Sequence, residues 1–429
     1  MNTFGMRVKA RCFIEYDSVA DLVDIEFEEL ARPVLHIGGG SNLLFTDDFN
    51  GTILHSRINF IEILDECQFA AVAPSHSVGP LPALLPQAAR HKSPLDCLPS
   101  GSRPYPGVGK CHFRTNGTSS EDVYSTDAGT KNAPEVVFVS VGAGVVFDDF
   151  CNWAAKEGLW GVENLSYIPG EVGASAVQNI GAYGVEVKDV IRKVYCYDTV
   201  EEEFVNFSVE ECGYGYRDSI FKNPEIKGRY IITHVVFALS RDPQPKLDYG
   251  HLRDAVAEAA SLSNDPRLPD GRHPLAGGGM SFTSDTTSAI ARLTPSLVRR
   301  VIIKIRKEKL PEPSVMGSAG SFFKNPVVSQ DHFARIEAAA KAEIGPDYKV
   351  PHYDLPDGTV KVPAAWMIEQ CGWKGKRSGG AAVWEKQPLV IVNYTGEAYP
   401  EEIIGLERRI VESVRKKFDI ELHPEVDHI

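Results

Sequence analysis

The chain has 429 residues, more than one hydrophobic core usually supports, so its length predicts two or three domains. Hydrophobic residues make up 43% and charged residues 24% of the sequence, and no apolar run approaches the roughly 20 residues that span a bilayer, which excludes an integral membrane protein. The net charge of −13 argues against nucleic-acid binding, because phosphate recognition needs a basic surface. The first residues carry no export signal pattern, so we expect the protein in the cytoplasm.

Periodic apolar residues predict a βαβ-like start to the chain. Strands are expected at residues 10–16, 34–37 and 51–55, with a short helix between the first two. The composition then changes, because residues 66–134 are rich in proline and glycine and have no sustained period. We interpret this stretch as a poorly ordered insertion.

Regular structure returns with a strand at residues 136–142. A helix is expected to begin at Asp148 or Asp149 and to end at Gly158, because glycine tolerates the left-handed position after a helix. Residues 262–293 are again polar and glycine-rich and indicate a second irregular insertion. The remaining expected elements are strands at 191–197 and 230–239, an amphipathic helix from Thr294-Pro295 to about Lys309, another at 400–418, and a last strand at 422–429.

Glycines follow the second predicted strand in the run Gly38-Gly39-Gly40-Ser41-Asn42. Such a loop presents backbone N–H groups to a diphosphate without side-chain obstruction. It lacks the third glycine of a Rossmann fingerprint and the Lys-Ser/Thr of a P-loop. Taken alone, the run is equally compatible with an ordinary hairpin turn.

A second glycine-rich stretch extends from Ile168 to Gly184 and includes Gln178 and Asn179. Backbone can approach a large planar ligand closely there, because most side chains are small. Two such loops, far apart in sequence, suit a long dinucleotide held between two small domains.

Five sequence blocks together resemble the UDP-N-acetylenolpyruvoylglucosamine reductase family. In chain order they are Gly38–Phe45, Ile168–Gly184, Tyr216–Lys222, Gly320–Pro326 and Pro424–Val426. They are spread over nearly the whole chain, apart from the two insertions. The resemblance implies an α+β, three-domain flavoprotein, with two FAD-binding domains of the vanillyl-alcohol-oxidase (PCMH) type and a C-terminal α+β substrate-binding domain.

The resemblance also implies domain limits and a reaction. The two FAD-binding subdomains are expected at 1–63 and 64–293, and the substrate-binding domain at 294–429, with its last strand, about 420–429, returning to the active site. The implied cofactors are FAD and NADPH, and the implied reaction reduces the enolpyruvyl group of UDP-N-acetylglucosamine enolpyruvate to UDP-N-acetylmuramate in peptidoglycan precursor synthesis. We expect a UDP-sugar and NADPH as partners, a monomer, and neither nucleic-acid binding nor membrane insertion.

Arg217, Ser321 and Glu425 match the catalytic residues of this family. A guanidinium and a protonated carboxyl would stabilise the charge that develops on the substrate carboxylate, and a hydroxyl would supply the final proton. Each residue also has a structural explanation when it is considered alone. Arg217 could form an ion pair with a neighbour, Ser321 could cap the element that begins at Phe322, and Glu425 could be an exposed strand residue.

Further contacts are carried over from the family motifs. The predicted FAD-binding residues are Gly38, Gly39, Gly40, Ser41, Asn42, Leu43, Pro169, Gly170, Val172, Gly173, Ala174, Gln178, Asn179 and Gly181. The predicted substrate contacts are Tyr249, Lys309 and Asn325, and no metal site is expected.

The eight cysteines form no Cys-x-x-Cys pair, and no histidine lies at zinc-ligand spacing from them. We therefore interpret them as free thiols and the Cys111-His112 pair as a chance occurrence.

The chain departs from the family in its short N-terminus and in the insertion at 66–134, and either could lower FAD affinity. Two other functions stay open: an FAD-dependent oxidase or dehydrogenase of a small hydroxy acid, which would not need Ser321 or Glu425, and a non-catalytic UDP-sugar-binding protein without flavin. Flavin colour separates the last from the other two.

Overall fold

The computed structural model describes residues 2–65, 89–90, 135–263 and 293–429. The two predicted insertions, 66–134 and 262–293, therefore lie almost entirely outside the described residues, as do Cys67, Cys97 and the Cys111-His112 pair. Within the described ranges, no helix combines the length and the hydropathy needed to cross a membrane.

The four predicted helices are present close to the expected residues, and four further helices in the described ranges were not predicted. In chain order they are α1 (Val19–Val23), α2 (Phe147–Lys156), α3 (Val172–Gln178), α4 (Leu252–Ser263), α5 (Pro295–Lys309), α6 (Gln330–Ile344), α7 (Ala364–Gln370) and α8 (Pro400–Phe418). The start of α5 follows the predicted signal, because the backbone N–H of Leu297 donates to the Thr294 hydroxyl at 3.2 Å and proline occupies the first turn. Gly158 adopts the expected left-handed conformation after α2, with φ +73°.

The structure has more strands than the sequence indicates, and many of the additional strands have only two or three residues. They are β1 (Ala10–Tyr16), β2 (Val34–Ile37), β3 (Leu43–Leu44), β4 (Phe49–Ser56), β5 (Ile61–Ile63), β6 (Ala89–Arg90), β7 (Val136–Gly142), β8 (Gly181–Ala182), β9 (Val185–Glu186), β10 (Ile191–Asp198), β11 (Glu203–Ser208), β12 (Tyr230–Ser240), β13 (Gly317–Ser321), β14 (Val327–Val328), β15 (Tyr353–Asp354), β16 (Val360–Lys361), β17 (Arg377–Ser378), β18 (Ala381–Val383), β19 (Val390–Asn393) and β20 (Asp427–His428).

These strands form three principal sheets. The N-terminal sheet is parallel with order β1-β4-β2, as the βαβ-like pattern predicts. The central sheet has six strands in the order β5-β7-β12-β10-β11-β6. The C-terminal sheet has the order β13-β19-β18-β17 and packs against α8. The first glycine-rich loop follows β2 of the N-terminal sheet. The second glycine-rich stretch begins just before α3. Both line one cavity.

The core of the central sheet is built from large apolar side chains. Phe237 on β12 is fully buried, and its ring lies 4.7 Å from the ring of Phe150 on α2. We expect Phe237→Ala to lower the free energy of unfolding by about 3–5 kcal/mol, because the loss of burial adds to the cost of a cavity. Phe13→Ala, at a side chain that is 44% exposed, should cost under about 1 kcal/mol. Urea unfolding followed by circular dichroism measures the free energy of unfolding of both variants. Equal losses of this free energy in Phe237→Ala and Phe13→Ala would contradict the assignment of this core.

Three predictions are corrected by the described structure. The last strand is not residues 422–429 but only Asp427–His428, because its parallel partner is the two-residue β3, whereas Pro424 makes an isolated antiparallel bridge to Phe323. Helix α2 begins at Phe147, before the predicted Asp148, with Val146 as its N-cap. Within the first insertion, Ala89–Arg90 form an edge strand on β11, so the stretch is not wholly irregular.

The packing of α5 bears on the predicted domain limit at residue 293. Val298 and Ile302 of α5 share one buried cluster with Trp160 and with Leu252 of α4, both in the predicted second domain. Arg299 of α5 also donates to Asp148 of α2 at 2.9 Å. The three-domain division stays a prediction, and this packing favours a limit after residue 309.

Candidate active site

One cavity of about 490 Å³ is lined by both glycine-rich loops and by residues of the C-terminal region. Its volume lies in the range of small-molecule and cofactor sites. The wall includes the predicted residues Gly38, Gly39, Gly40, Ser41, Asn42, Leu43, Pro169, Gly170, Gly173, Ala174, Gln178, Gly181, Arg217, Tyr249, Lys309, Ser321, Asn325 and Glu425. The structure therefore brings together the predicted cofactor, substrate and catalytic residues, apart from two.

The two loops approach each other closely at two glycines. A Cβ added at Gly38 would lie 3.1 Å from the Cβ of Ala174, and one at Gly170, where φ is +116°, would lie 2.9 Å from the Ser41 hydroxyl. That hydroxyl donates to the Pro169 carbonyl at 3.1 Å. Leu43-Leu44 pairs with β20 and not with β2, so the first loop is not a hairpin turn.

Val172 and Asn179 are the two predicted cofactor contacts that the structure places behind the cavity wall. Both are fully buried. The Asn179 amide donates to the Gly215 carbonyl at 2.7 Å, and its oxygen accepts the backbone N–H of Lys188 at 3.2 Å. With its side chain committed to these partners, Asn179 holds the loop in place from behind the wall.

Arg217 forms an ion pair with a residue far away in sequence, and not with its neighbour Asp218. Its Nε lies 3.0 Å from Glu425 Oε1, and its Nη2 donates to the Gly181 carbonyl at 2.6 Å. The Arg217 backbone is left-handed, with φ +55°, which is uncommon outside glycine and is often found at functional sites. These contacts hold the guanidinium in one orientation on the cavity wall.

Glu425 is brought to the cavity by the C-terminal segment. Its backbone N–H donates to the Phe322 carbonyl at 2.8 Å, and its carbonyl accepts from the Asn42 amide at 3.0 Å. Burial raises the pKa of the Glu425 carboxyl, while Arg217 and nearby lysines oppose the rise. Glu425 is thus not the exposed strand residue of the alternative interpretation.

Ser321 is the last residue of β13 and is exposed to the cavity. The next residues, Phe322 and Phe323, point into the C-terminal core, where both are almost completely buried. No helix begins at Phe322, so Ser321 does not act as a helix cap. The Ser321 hydroxyl therefore lies at the cavity surface, at the end of the strand. The next residue, Phe322, accepts the backbone hydrogen bond from Glu425.

The predicted substrate contacts lie at the C-terminal side of the cavity. The Tyr249 ring is stacked on that of Tyr353 with centroids 5.9 Å apart. Lys309 is the last residue of α5. The Asn325 side chain is already engaged, since its oxygen accepts the backbone N–H of Ala364 at 2.9 Å and its amide donates to the Tyr216 hydroxyl at 3.3 Å.

Two partly buried cations, one beside the cavity and one on its wall, were missed by the sequence interpretation. Lys222 Nζ donates to Gln178 Oε1 at 3.0 Å, and burial lowers the pKa of this lysine. Arg306 lines the cavity, and its Nε donates to the Tyr167 carbonyl at 3.1 Å. A signal for Arg306 was available, because it follows Val298 and Ile302 at intervals of four and therefore lies on the apolar face of α5.

The cavity wall fits an anionic, planar dinucleotide. Its glycines leave backbone exposed where a Cβ would collide, and the wall carries Arg217, Arg306 and Lys309 together with the three carboxylates Glu171, Glu425 and Asp427. Among the residues that the structure describes, no cluster could hold a metal ion, and Cys12, Cys151, Cys196, Cys212 and Cys371 are free thiols. The site is therefore suited to a flavin nucleotide held by contacts along both loops.

Comparisons with known proteins agree with this geometry. Residues 312–429 match the family model described as UDP-N-acetylenolpyruvoylglucosamine reductase, C-terminal domain, and residues 131–205 match an FAD binding domain. The chain is 41% identical over 429 residues to the UDP-N-acetylenolpyruvoylglucosamine reductase of Bacteroides fragilis strain YCH46, covering 100% of this chain and 97% of the relative. Identity to the enzyme of the same name from Porphyromonas gingivalis strain ATCC 33277 is 35% over 433 residues, covering 100% and 96%.

A solved structure agrees in fold. The crystal structure of UDP-N-acetylenolpyruvylglucosamine reductase from Thermus caldophilus aligns with a TM-score of 0.50 and 19% identity, covering 100% of this chain and 95% of that one. At this identity the likeness concerns the fold alone. Full-length sequence identity above one third, together with the two matched domains, shows that this chain belongs to the UDP-N-acetylenolpyruvoylglucosamine reductase family of FAD-containing oxidoreductases.

Proposed function

We propose that this chain uses NADPH to reduce the enolpyruvyl group of UDP-N-acetylglucosamine enolpyruvate, giving UDP-N-acetylmuramate for peptidoglycan precursor synthesis. The observation that carries the proposal is that Arg217, Ser321 and Glu425, from three distant parts of the chain, line one cavity with both glycine-rich loops. An oxidase or dehydrogenase of a small hydroxy acid would have no use for this combination. The family's cofactor chemistry and the names of the relatives support the same reaction.

The glycine-rich loops are proposed to hold FAD through their backbone N–H groups. When bound there, FAD supplies the hydride that the terminal carbon of the enolpyruvyl group receives. The residues proposed to contact FAD are Gly38, Gly39, Gly40, Ser41, Asn42, Leu43, Pro169, Gly170, Gly173, Ala174, Gln178 and Gly181, all on the cavity wall. Val172 and Asn179 are proposed to support these loops from behind.

Arg217 and Glu425 are proposed to stabilise the charge that grows on the substrate carboxylate. The guanidinium offers donors in a fixed plane, which suits a carboxylate. Glu425 would act in its protonated form as a hydrogen-bond donor, and burial already raises the pKa of its carboxyl. The existing contact at 3.0 Å between Arg217 and Glu425 means that both groups are held in position before substrate binds.

Ser321 is proposed as the proton donor. After hydride addition the carbon next to the carboxylate carries excess electron density and takes a proton, and it is basic enough to take it from a neutral hydroxyl. The hydroxyl lies on the cavity surface, one residue before the Phe322 carbonyl that anchors Glu425. Lys309 and Tyr249 would contact the UDP-sugar, with Asn325 supporting Tyr216 at the wall.

The function is tested by the colour changes of the purified full chain. We expect a yellow protein whose flavin absorbance is bleached by NADPH and restored by UDP-N-acetylglucosamine enolpyruvate. Colour without restoration by the UDP-sugar would favour the oxidase alternative, and absence of flavin would favour the non-catalytic alternative.

We expect the protein to act as a monomer in the cytoplasm. Size-exclusion chromatography tests whether it is a monomer.

We predict that FAD is bound without a covalent link, because the family motifs provide two loops for it and no described histidine or cysteine stands in an evident attachment motif. Acid precipitation of the yellow protein should leave all the flavin in the supernatant, where its absorbance can be measured. Flavin that remains with the pellet after washing in denaturant would contradict this prediction.

A further inference from the structure

A carboxylate is buried where the two glycine-rich loops touch. Glu171 lies on the cavity wall with its side chain only 11% exposed, and its Oε2 would lie 3.2 Å from a Cβ added at Gly38. The loops present backbone N–H groups that suit a diphosphate. A negative charge at this contact opposes the binding of such an anion, because two like charges a few ångströms apart repel each other strongly near a protein surface.

His55 supplies an opposite charge from the strand beneath. Its Nε2 lies 2.9 Å from Glu171 Oε1, and its Nδ1 lies 2.9 Å from Glu15 Oε1. Parallel pairing of β1 with β4 sets Glu15 directly beside His55, so the register fixes the second contact. A neutral imidazole donates through only one nitrogen, whereas the imidazolium donates through both and satisfies both carboxylates.

In contrast to His36 and Tyr16 beside it, His55 changes charge near neutral pH. The hydrogen bond to Glu171 raises the pKa of His55, although burial opposes the rise. His36, on the neighbouring strand β2, is neutral because burial lowers its pKa to about 4, and burial raises the pKa of Tyr16, which bonds to His36 at 2.7 Å. The Arg57 guanidinium lies on the outer side of the cluster, with its Nη1 3.8 Å from Glu15 Oε2.

We propose that protonated His55 is a positioning residue of the FAD cradle, which holds and neutralises the Glu171 carboxylate so that the two glycine-rich loops can receive the FAD diphosphate. The proposal concerns cofactor affinity and rests on FAD lying between these loops, not on the identity of the substrate. Since the imidazolium is the neutralising form, FAD binds most tightly below the pKa of His55 in the folded protein. Affinity falls as the pH rises through that raised value.

The test is a titration of the flavin-free full chain with FAD, followed by flavin fluorescence, between about pH 6 and pH 9. A step in the Kd that came from Glu425, whose pKa is also raised, would persist in His55→Ala. We expect the Kd to rise about tenfold across this range, the size of one charge interaction of about 1.4 kcal/mol. His55→Ala should bind FAD weakly at every pH and show no step. His55→Ala combined with Glu171→Gln should recover tight binding, also without a step, because the unpaired charge is gone.

Two further variants sharpen the test. Glu15→Gln keeps the contact between His55 and Glu171 but removes a carboxylate that raises the pKa of His55, so the step should move to lower pH. His352→Ala removes an exposed imidazole outside this cluster and should reproduce the wild-type curve. The rate of flavin release from the diluted holoenzyme provides a second readout, and release should be faster at high pH.

A wild-type Kd that does not change with pH would overturn the proposal, as would a double variant that binds no better than His55→Ala. If His55 had a purely structural role, adding Glu171→Gln to His55→Ala would not restore tight FAD binding. Absence of FAD binding at every pH would instead contradict the proposed reductase function, so the two failures are distinguishable.

Discussion

Ser321→Ala should slow the reoxidation of reduced flavin by the UDP-sugar on the order of a hundredfold or more, the usual contribution of a positioned general acid. Reduction of the flavin by NADPH should stay near the wild-type rate, because the hydroxyl is needed only when carbon accepts a proton. Stopped-flow absorbance separates these two half-reactions. Ser321→Cys, which keeps a dissociable proton at the same place, should recover part of the lost rate.

A matched control for this experiment is Ser413→Ala, which removes an exposed hydroxyl on α8 that donates to its own helix at 2.7 Å. It should leave both half-reactions unchanged. If Ser321→Ala slowed both half-reactions equally, Ser321 would be a positioning residue at the end of β13 and not the proton donor.

Substitution of Glu425 should have the second large effect on substrate reduction. The order of the rates of two variants reports whether Glu425 acts in its protonated form. Glu425→Gln keeps the shape and a hydrogen-bond donor, so we expect a partial loss of substrate reduction. Glu425→Ala removes the donor and leaves the Arg217 guanidinium without its 3.0 Å partner, so its loss should be much greater. Flavin reduction by NADPH should be nearly unaffected in both variants, which single-turnover measurements would establish.

The pH dependence adds a separate test of Glu425. Because burial raises the pKa of its carboxyl, the neutral donor persists above the usual range for glutamate and is lost as the pH rises through the raised value. The wild-type rate of substrate reduction should therefore decline on the alkaline side, and Glu425→Gln should lack this decline. If the Ala and Gln variants both reduced substrate within about threefold of wild type, under about 1 kcal/mol of barrier, Glu425 would not be catalytic.

Sequence patterns predicted strands β1, β2, β4, β7, β10 and β12 and helices α1, α2, α5 and α8, because these elements carry strong local signals. Thr294-Pro295 marks a helix start by its own chemistry, and the five family blocks name residues that the fold then brings to one cavity. The burial of Asn179 was not predictable in this way. Its partners at Gly215 and Lys188 lie elsewhere in the chain, and only tertiary packing decides which face of a glycine-rich loop meets the cavity.

Long-range contacts account for the other differences. The last strand shortens to two residues because its partner is the two-residue β3, and a pattern within residues 422–429 carries no information about a partner near residue 43. The ion pair between Arg217 and Glu425 likewise joins residues 208 positions apart. The contacts of His55 with Glu15 and Glu171 were missed for the same reason, since no family block includes His55 or Glu15.

The parallel pairing of Asp427–His428 with Leu43–Leu44 also has a consequence for how the enzyme assembles. Contacts between segments so far apart in sequence require closure of a very large loop, so they form slowly and late in folding. The ribosome adds residue 427 only after every residue that precedes it. A chain that still lacks this segment therefore exposes the first glycine-rich loop before Glu425 can reach Arg217, and the candidate site forms only once the segment has been added.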